Sequence, residues 1–260
     1  MLFAYFCAEC RVKICNANNT ALFGDHLSII HHRMRESIIK HTAAVEISGN
    51  ISAMQRKIWN VLLGYAYSDI LFREEHTISL RLLAIMLKYP RSSYERLKDD
   101  LQALVETTVV WNILQNDIPN HAEWNVCTMF SGVTITNGTV LYSYHPRLRR
   151  LLHNPERFAR INLVHQLRLK SKYALVLYEL CEAYSREGFT PFVSVEQFRA
   201  MMGVGKMEWR DVQKRLIKEP IEQLHHSTPF RLTLQTIKEG TKITHIRFTI
   251  HKREHARFDA

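Results

Sequence analysis

"SKYALVLYELCEAYSREGFTPFVSVEQFRAMMGV", residues 171–204, runs directly into "GKMEWRDVQKRLIKEPIEQL", residues 205–224. Tyr173, Leu177 and Leu180 recur at helical spacing, so the stretch opens on an apolar helix. A turn follows, and Ser194 is placed to cap a second, short helix. A third helix is expected over Lys206–Leu224, with Trp209, Val212 and Leu216 as its buried stripe. Two strands close the unit, "FRLTLQTI" and "KITHIRFTI", joined by the turn "KEGTK". Three helices followed by a β-hairpin describe a winged helix, which is a helix-turn-helix with a β wing.

The same order occurs earlier in the chain. After Ser52, a plausible cap, Met54, Ile58, Val61, Leu62 and Tyr65 form one helical stripe. Ser79 is placed to cap a short helix bearing Leu80, Leu83 and Met86, and Pro90 closes it. Tyr94, Leu97, Leu101 and Leu104 mark a third helix, which runs into the β-branched "TTVVWNIL". Further strands are expected near 124–135 and, beyond Asn137-Gly138, over 139–144. Tyr94, Leu97 and Leu101 match Trp209, Val212 and Leu216 in register, and Met86 and Met201 each precede the aromatic by eight residues. The expected fold class is therefore α+β: two tandem winged helices related by internal duplication. The expected organisation is an extension over 1–37, a first winged helix over 38–154, a basic linker over 155–169, a second winged helix over 170–252 and a tail over 253–260.

Length and composition fit that division. The chain has 260 residues, enough for two domains of roughly 100–120 residues each. With 46% apolar and 23% charged residues it can bury real cores. The 35 lysines and arginines against 25 acids give a net charge of +10, which favours a polyanionic partner. No run approaches the roughly 18–20 apolar residues needed to span a bilayer. "MLFAYFCAEC" lacks the basic start of a signal peptide, and Cys127 and Cys181 stand alone in apolar stretches as reduced core residues. A cytoplasmic location follows as an expectation.

Winding the third helix of the second copy at about 100° per residue puts Arg210, Lys214, Arg215 and Lys218 on or beside the face opposite Trp209, Val212 and Leu216. Gln213 lies nearer the edge. In a winged helix this element enters the DNA major groove, where arginine and lysine meet guanine or phosphate and glutamine can read adenine. A solvated basic face is the plainer alternative. The matching helix of the first copy carries Glu95, Arg96, Lys98, Asp99 and Asp100, which nearly cancel. Its start, Arg91-Ser92-Ser93, suits phosphate contact through hydroxyls and a helix N-terminus. From His145 to Lys172 the chain holds eight arginines and lysines, Arg147, Arg149 and Arg150 among them, against the single acid Glu156. Such a bridge would lie along phosphates and steepen the salt dependence of binding.

Catalytic signatures are missing from the sequence. His31-His32 and His225-His226 lack the intervening residue of a His-x-His metal pair, and "MGVGKMEW" has neither the spacing nor the hydroxyl of a phosphate-binding loop. Three N-terminal cysteines and His26 make only a weak zinc candidate. No cofactor and no catalytic activity are expected. A nicking enzyme, the rival from another class, would need a metal and a nucleophile such as Tyr142 or Tyr144.

"IIKHTAAVEISGNISAMQRKIWNVLL", "SKYALVLYELCEAY" and "EWRDVQKRLIKEPIEQLHHSTPFRLTLQTIKEGTKITHIRFTI" resemble the iteron-binding plasmid replication initiators, the tandem winged-helix Rep proteins. The resemblance covers about residues 38–250 and is most specific in the second domain. It implies a protein that binds directly repeated origin sequences in double-stranded DNA and promotes origin opening. It also implies self-association through the first winged helix, autorepression as a dimer, and contact with a host initiator and a replicative helicase. The residues it implies are a reading helix with Lys206, Arg210, Gln213, Lys214, Arg215 and Lys218, phosphate contacts near Arg91–Arg96, and a wing at Lys238–Lys242. Residues 1–33 match nothing in that family, and Met34 falls where such a protein could begin, so the leading segment is expected to be an upstream extension. A winged-helix transcriptional repressor is the nearer alternative.

Overall fold

The computed structural model describes residues 37–41, 51–90, 93–111, 125–153 and 158–253. The N-terminal cysteines, His26, Arg91 and Ser92 lie outside them, as does the expected extension apart from Ser37. Among the described residues the first elements are β1 (Ser37–His41), α1 (Ala53–Ala66), β2 (Glu75–Ser79), α2 (Leu80–Met86) and α3 (Tyr94–Glu106). Four strands follow: β3 (Thr108–Trp111), β4 (Asn125–Thr128), β5 (Gly132–Thr136) and β6 (Thr139–Ser143). α4 (Pro146–His153), β7 (Phe158–Asn162) and α5 (Leu163–Arg168) lead to α6 (Lys172–Ala183), β8 (Val193–Ser194) and α7 (Val195–Met201). The third helix of the second copy comprises α8 (Trp209–Asp211), a π-helical stretch (Val212–Lys218) and α9 (Glu219–Ser227), and the wing is β9 (Phe230–Glu239) with β10 (Lys242–Lys252).

The duplication is a property of the topology. In each copy a strand ends on the serine that caps the next helix: β2 on Ser79 before α2, and β8 on Ser194 before α7. In each copy that strand pairs with the second strand of the wing, giving the sheet orders β2-β6-β5 and β8-β10-β9. Serine also caps the first helix of each copy. The Gln55 N–H donates to Ser52 Oγ at 3.1 Å, and the Tyr173 N–H to Ser171 Oγ at 3.2 Å. Each such cap satisfies a backbone donor that the helix cannot, worth about 1 kcal/mol.

Leu97, Leu101 and Leu104 are buried as their spacing predicts, and so are Val212 and Leu216. Tyr94 and Trp209 are only half-buried, flanking the cores rather than filling them. The larger fully buried side chains are Trp59, Phe130, Tyr142 and Tyr144 in the first copy, and Tyr178, Phe198, Phe230 and Phe248 in the second. Of the two cysteines in the body, Cys181 is buried and Cys127 half-buried with its thiol pushed up to about 11 by burial, and both are free thiols. The strand expected near 124–135 is two strands. β4 pairs with β3, and Met129 and Phe130 turn into the core before β5 joins the wing.

Of the segment expected as a linker, 155–169, the described residues 158–169 are built into the fold. β7 pairs antiparallel with β1, from Ser37 opposite Asn162 to His41 opposite Phe158. Asn162 Oδ1 then caps α5 by accepting the Val164 and His165 N–H groups at 2.8 and 3.1 Å. The Tyr178 hydroxyl accepts the Asn162 N–H at 2.9 Å and donates to Glu182 Oε1 at 2.9 Å, tying β7 to α6.

α1 of the first copy packs on α5 and on α6 of the second through a buried polar node. Arg56 Nη1 meets Glu179 Oε2 at 2.7 Å, with side chains 4% and 0% exposed. The Asn60 amide donates to Glu179 Oε1 at 2.7 Å and to Gln166 Oε1 at 2.8 Å. Lys57 Nζ donates to the Leu167 carbonyl at 3.3 Å, at the end of α5. A charge taken this far from water persists only when paired and hydrogen-bonded, so the node holds the copies in one arrangement.

Candidate nucleic-acid interface

The reading helix starts three residues later than expected. Glu208 is its N-terminal boundary, which leaves Lys206 exposed on the preceding turn. From Trp209 to Ser227 the three segments abut without a gap. Across the π-helical stretch the wide turn is set by a Glu219 N–H that donates five residues back, to the Lys214 carbonyl. Val212, Leu216 and Ile217 are buried there, while Arg210, Gln213, Lys214, Arg215 and Lys218 are all exposed. None of those four cations has an ion-pair partner among the described residues. Glu208, Asp211, Glu219 and Glu222 are the acids exposed beside them.

The second wing projects from the body. β9 is buried at Phe230 and Leu232 but exposed from Gln235 to its end, and Lys238 and Lys242 flank the turn. Gly240 makes that turn at φ +62°, a conformation that costs glycine little. Glu196, in the first turn of α7, has its carboxyl held below the usual range, first by its own backbone N–H and then by Arg199 and Lys242. Lys242 thus lends positive potential to the helix that precedes the reading helix.

The first wing is different. Its five-residue strands turn at Asn137 and Gly138, both at positive φ as the tight Asn-Gly hairpin requires. The Gly138 carbonyl accepts the Leu80 N–H at 2.8 Å, so this wing folds back onto the start of α2. On α3, Arg96 is exposed and Ser93 sits at the N-cap without making a side-chain cap bond. With Asp100 drawn in, the exposed Glu95, Arg96, Lys98 and Asp99 balance more evenly than the sequence implies. Asp100 turns inward to accept from Gln55 at 3.1 Å and from the Tyr89 hydroxyl, and Lys98 pairs with Glu95 at 2.7 Å.

The basic bridge divides. Arg147 and Arg150 on α4 are exposed. Arg149, expected to lie along phosphates, is committed elsewhere: Nη1 donates to the Arg73 carbonyl at 2.7 Å and Nη2 sits 3.8 Å from Glu74, with the side chain 12% exposed. It anchors the loop between α1 and β2. Tyr142 and Tyr144 are core residues whose phenols burial pushes well up, and the Tyr142 hydroxyl donates to the Leu62 carbonyl at 2.8 Å.

Three imidazoles are expected to make the fold acid-sensitive. His225 Nε2 accepts the Leu232 N–H at 3.0 Å where the reading helix meets the wing. Burial, then Arg231, His226 and Arg253, hold its pKa down. Burial likewise lowers His76 and His165. An unfolded histidine titrates near about 6.5, so as pH falls the unfolded chain takes up protons first. Stability from these groups is complete above that value and declines below it, until the folded imidazoles also protonate. The thermal midpoint is expected to be lower at pH 5.5 than at pH 7.5; an unchanged midpoint would show that the three rings do not carry this dependence.

Two winged helices in tandem, the second with a free cationic reading face and a projecting wing, define a DNA-binding protein of the tandem winged-helix class. The chain belongs to the initiator Rep protein family: residues 37–182 match "Initiator Replication protein, WH1" and residues 194–250 match "Initiator Rep protein, WH2". Its fold is shared with the Pi initiator protein crystallised in complex with iteron DNA, at TM-score 0.65 and 14% identity over 85% of this chain and 99% of that one. Domains 2 and 3 of RctB align at TM-score 0.41 and 11% identity, over 76% and 80% of the respective chains. No curated protein matches the sequence. Among the described residues no helix is long and apolar enough to cross a membrane.

Proposed function

We propose that this chain initiates plasmid replication by binding directly repeated origin sequences, iterons, in double-stranded DNA, and that it promotes opening of the adjoining duplex without catalysis of its own. The observation that carries this reading is the free row of Arg210, Lys214 and Lys218, with Gln213 and Arg215 beside it, on the third helix of a winged-helix unit. Solved in complex with iteron DNA, the Pi initiator has the same fold, which supports that choice of target. The second copy reads sequence. The first, with its wing tied back, supplies backbone contact at Ser93 and Arg96 and serves self-association, which allows autorepression as a dimer. Recruitment of a host initiator and a replicative helicase belongs to the same reading, as does residence in the bacterial cytoplasm. The absence of catalysis is supported by Tyr142 and Tyr144, which are packed in the core rather than presented as nucleophiles.

Selection of bound fragments from the parent replicon with purified protein tests the proposal. A directly repeated array near the origin is the expected yield. An inverted pair would instead indicate a repressor, and cutting of supercoiled plasmid in the presence of magnesium or manganese would indicate a nicking enzyme.

A further inference from the structure

The reading helix keeps an unusual spacing. Four of its buried residues, Val212, Leu216, Pro220 and Leu224, are each four apart, with Ile217 buried beside them. The exposed Arg210, Lys214 and Lys218 are also four apart, a row that ends on Glu222. An α-helix turns about 100° per residue, so residues four apart drift by about 40° at each step. In a regular α-helix the three cations would fan over about 80°, and the four buried residues over about 120°. The latter is within the width of an ordinary apolar stripe, but the fan of cations would spread them around the exposed face. A turn closed by five residues winds less per residue, so alternating it with α-turns cancels the drift. Both rows then run nearly parallel to the axis.

The sequence supplies a local cause. Pro220 has no N–H to give the Leu216 carbonyl, and in an α-helix its ring would press against that carbonyl. The π-helical stretch ends two residues before Pro220 and contains Leu216. Widening the turn there relieves the clash without ending the helix, which continues to Ser227.

We infer that Pro220 is a positioning residue for DNA reading: by underwinding the helix it aligns Arg210, Lys214 and Lys218 along one wall of the groove. This deepens the proposal above and rests on it. Pro220 touches no DNA. Its effect falls on sequence preference, because a random duplex responds to the number of charges, whereas base edges respond to their alignment.

Pro220→Ala restores the missing donor. Amide hydrogen exchange should then show protection at position 220, with the origin repeat held about ten-fold more weakly, in line with the loss of one base contact. Affinity for random-sequence duplex should stay within about two-fold, because no charge has changed. An unchanged ratio of origin to random affinity overturns the inference, whether or not the amide becomes protected. Should the variant fail to fold, the otherwise intact chain still decides the matter. Missing-contact footprints of Arg210→Ala, Lys214→Ala and Lys218→Ala should fall in one continuous run on one strand, and footprints divided between the two groove walls overturn the inference. Unsubstituted protein that holds origin and random duplex equally would instead remove the DNA reading, and the inference with it.

Discussion

Glu179→Ala is expected to lower folding stability by about 3–5 kcal/mol, the usual cost of removing one partner from a buried ion pair. The Arg56 guanidinium would stay in a site where its side chain is 4% exposed, with no carboxylate to meet it. The Asn60 amide would lose one of its two acceptors as well. Urea unfolding provides the measurement, and a loss under about 1 kcal/mol would mean that water reaches the node. Replacing Arg56 and Glu179 together with apolar residues of similar volume should cost far less, since a packed apolar pair often matches a buried ionic one. If the double replacement costs as much as the single one, the penalty comes from lost packing and not from stranded charge.

The second large effect is on binding. Arg210→Ala and Lys214→Ala should each weaken association with the origin repeat by about 1–3 kcal/mol where the lost contact is to a base, and less where it is to phosphate. A phosphate contact identifies itself by reducing the slope of log affinity against log salt by about one. Neither side chain has a structural partner among the described residues, so stability should not change. Gel-shift titration at two salt concentrations separates these outcomes. Full affinity in both variants would take this helix out of the interface.

The parts of the fold legible in the sequence are those specified locally. Ser52, Ser79, Ser171 and Ser194 cap helices because a short hydroxyl beside a helical stripe has few other uses, and Asn137-Gly138 forms a tight turn because both residues tolerate positive φ. The cationic face of the reading helix follows from periodicity alone. What stayed hidden depends on distant partners. Arg56 looks like an ordinary surface cation on an amphipathic helix, and its partner is 123 residues away. Asp100 counts as exposed charge until Tyr89 and Gln55 are seen to draw it inward, and Arg149 counts as a phosphate ligand until the Arg73 carbonyl is found beside it. The π-helical stretch does leave a trace, the repeated spacing of four around a proline. Winding at a constant 100° erases it.

The β1–β7 ladder has a bearing on how this molecule could be taken apart. Both of its rails lie before residue 170, so a cut between the copies that spares it falls after β7, and that cut divides the Arg56–Glu179 pair. A fragment ending at residue 154 would leave β1 without its mate, and a fragment starting at residue 170 would carry Glu179 without Arg56. The working unit is therefore the couple, and grafting either half into another scaffold means carrying a piece of the other with it.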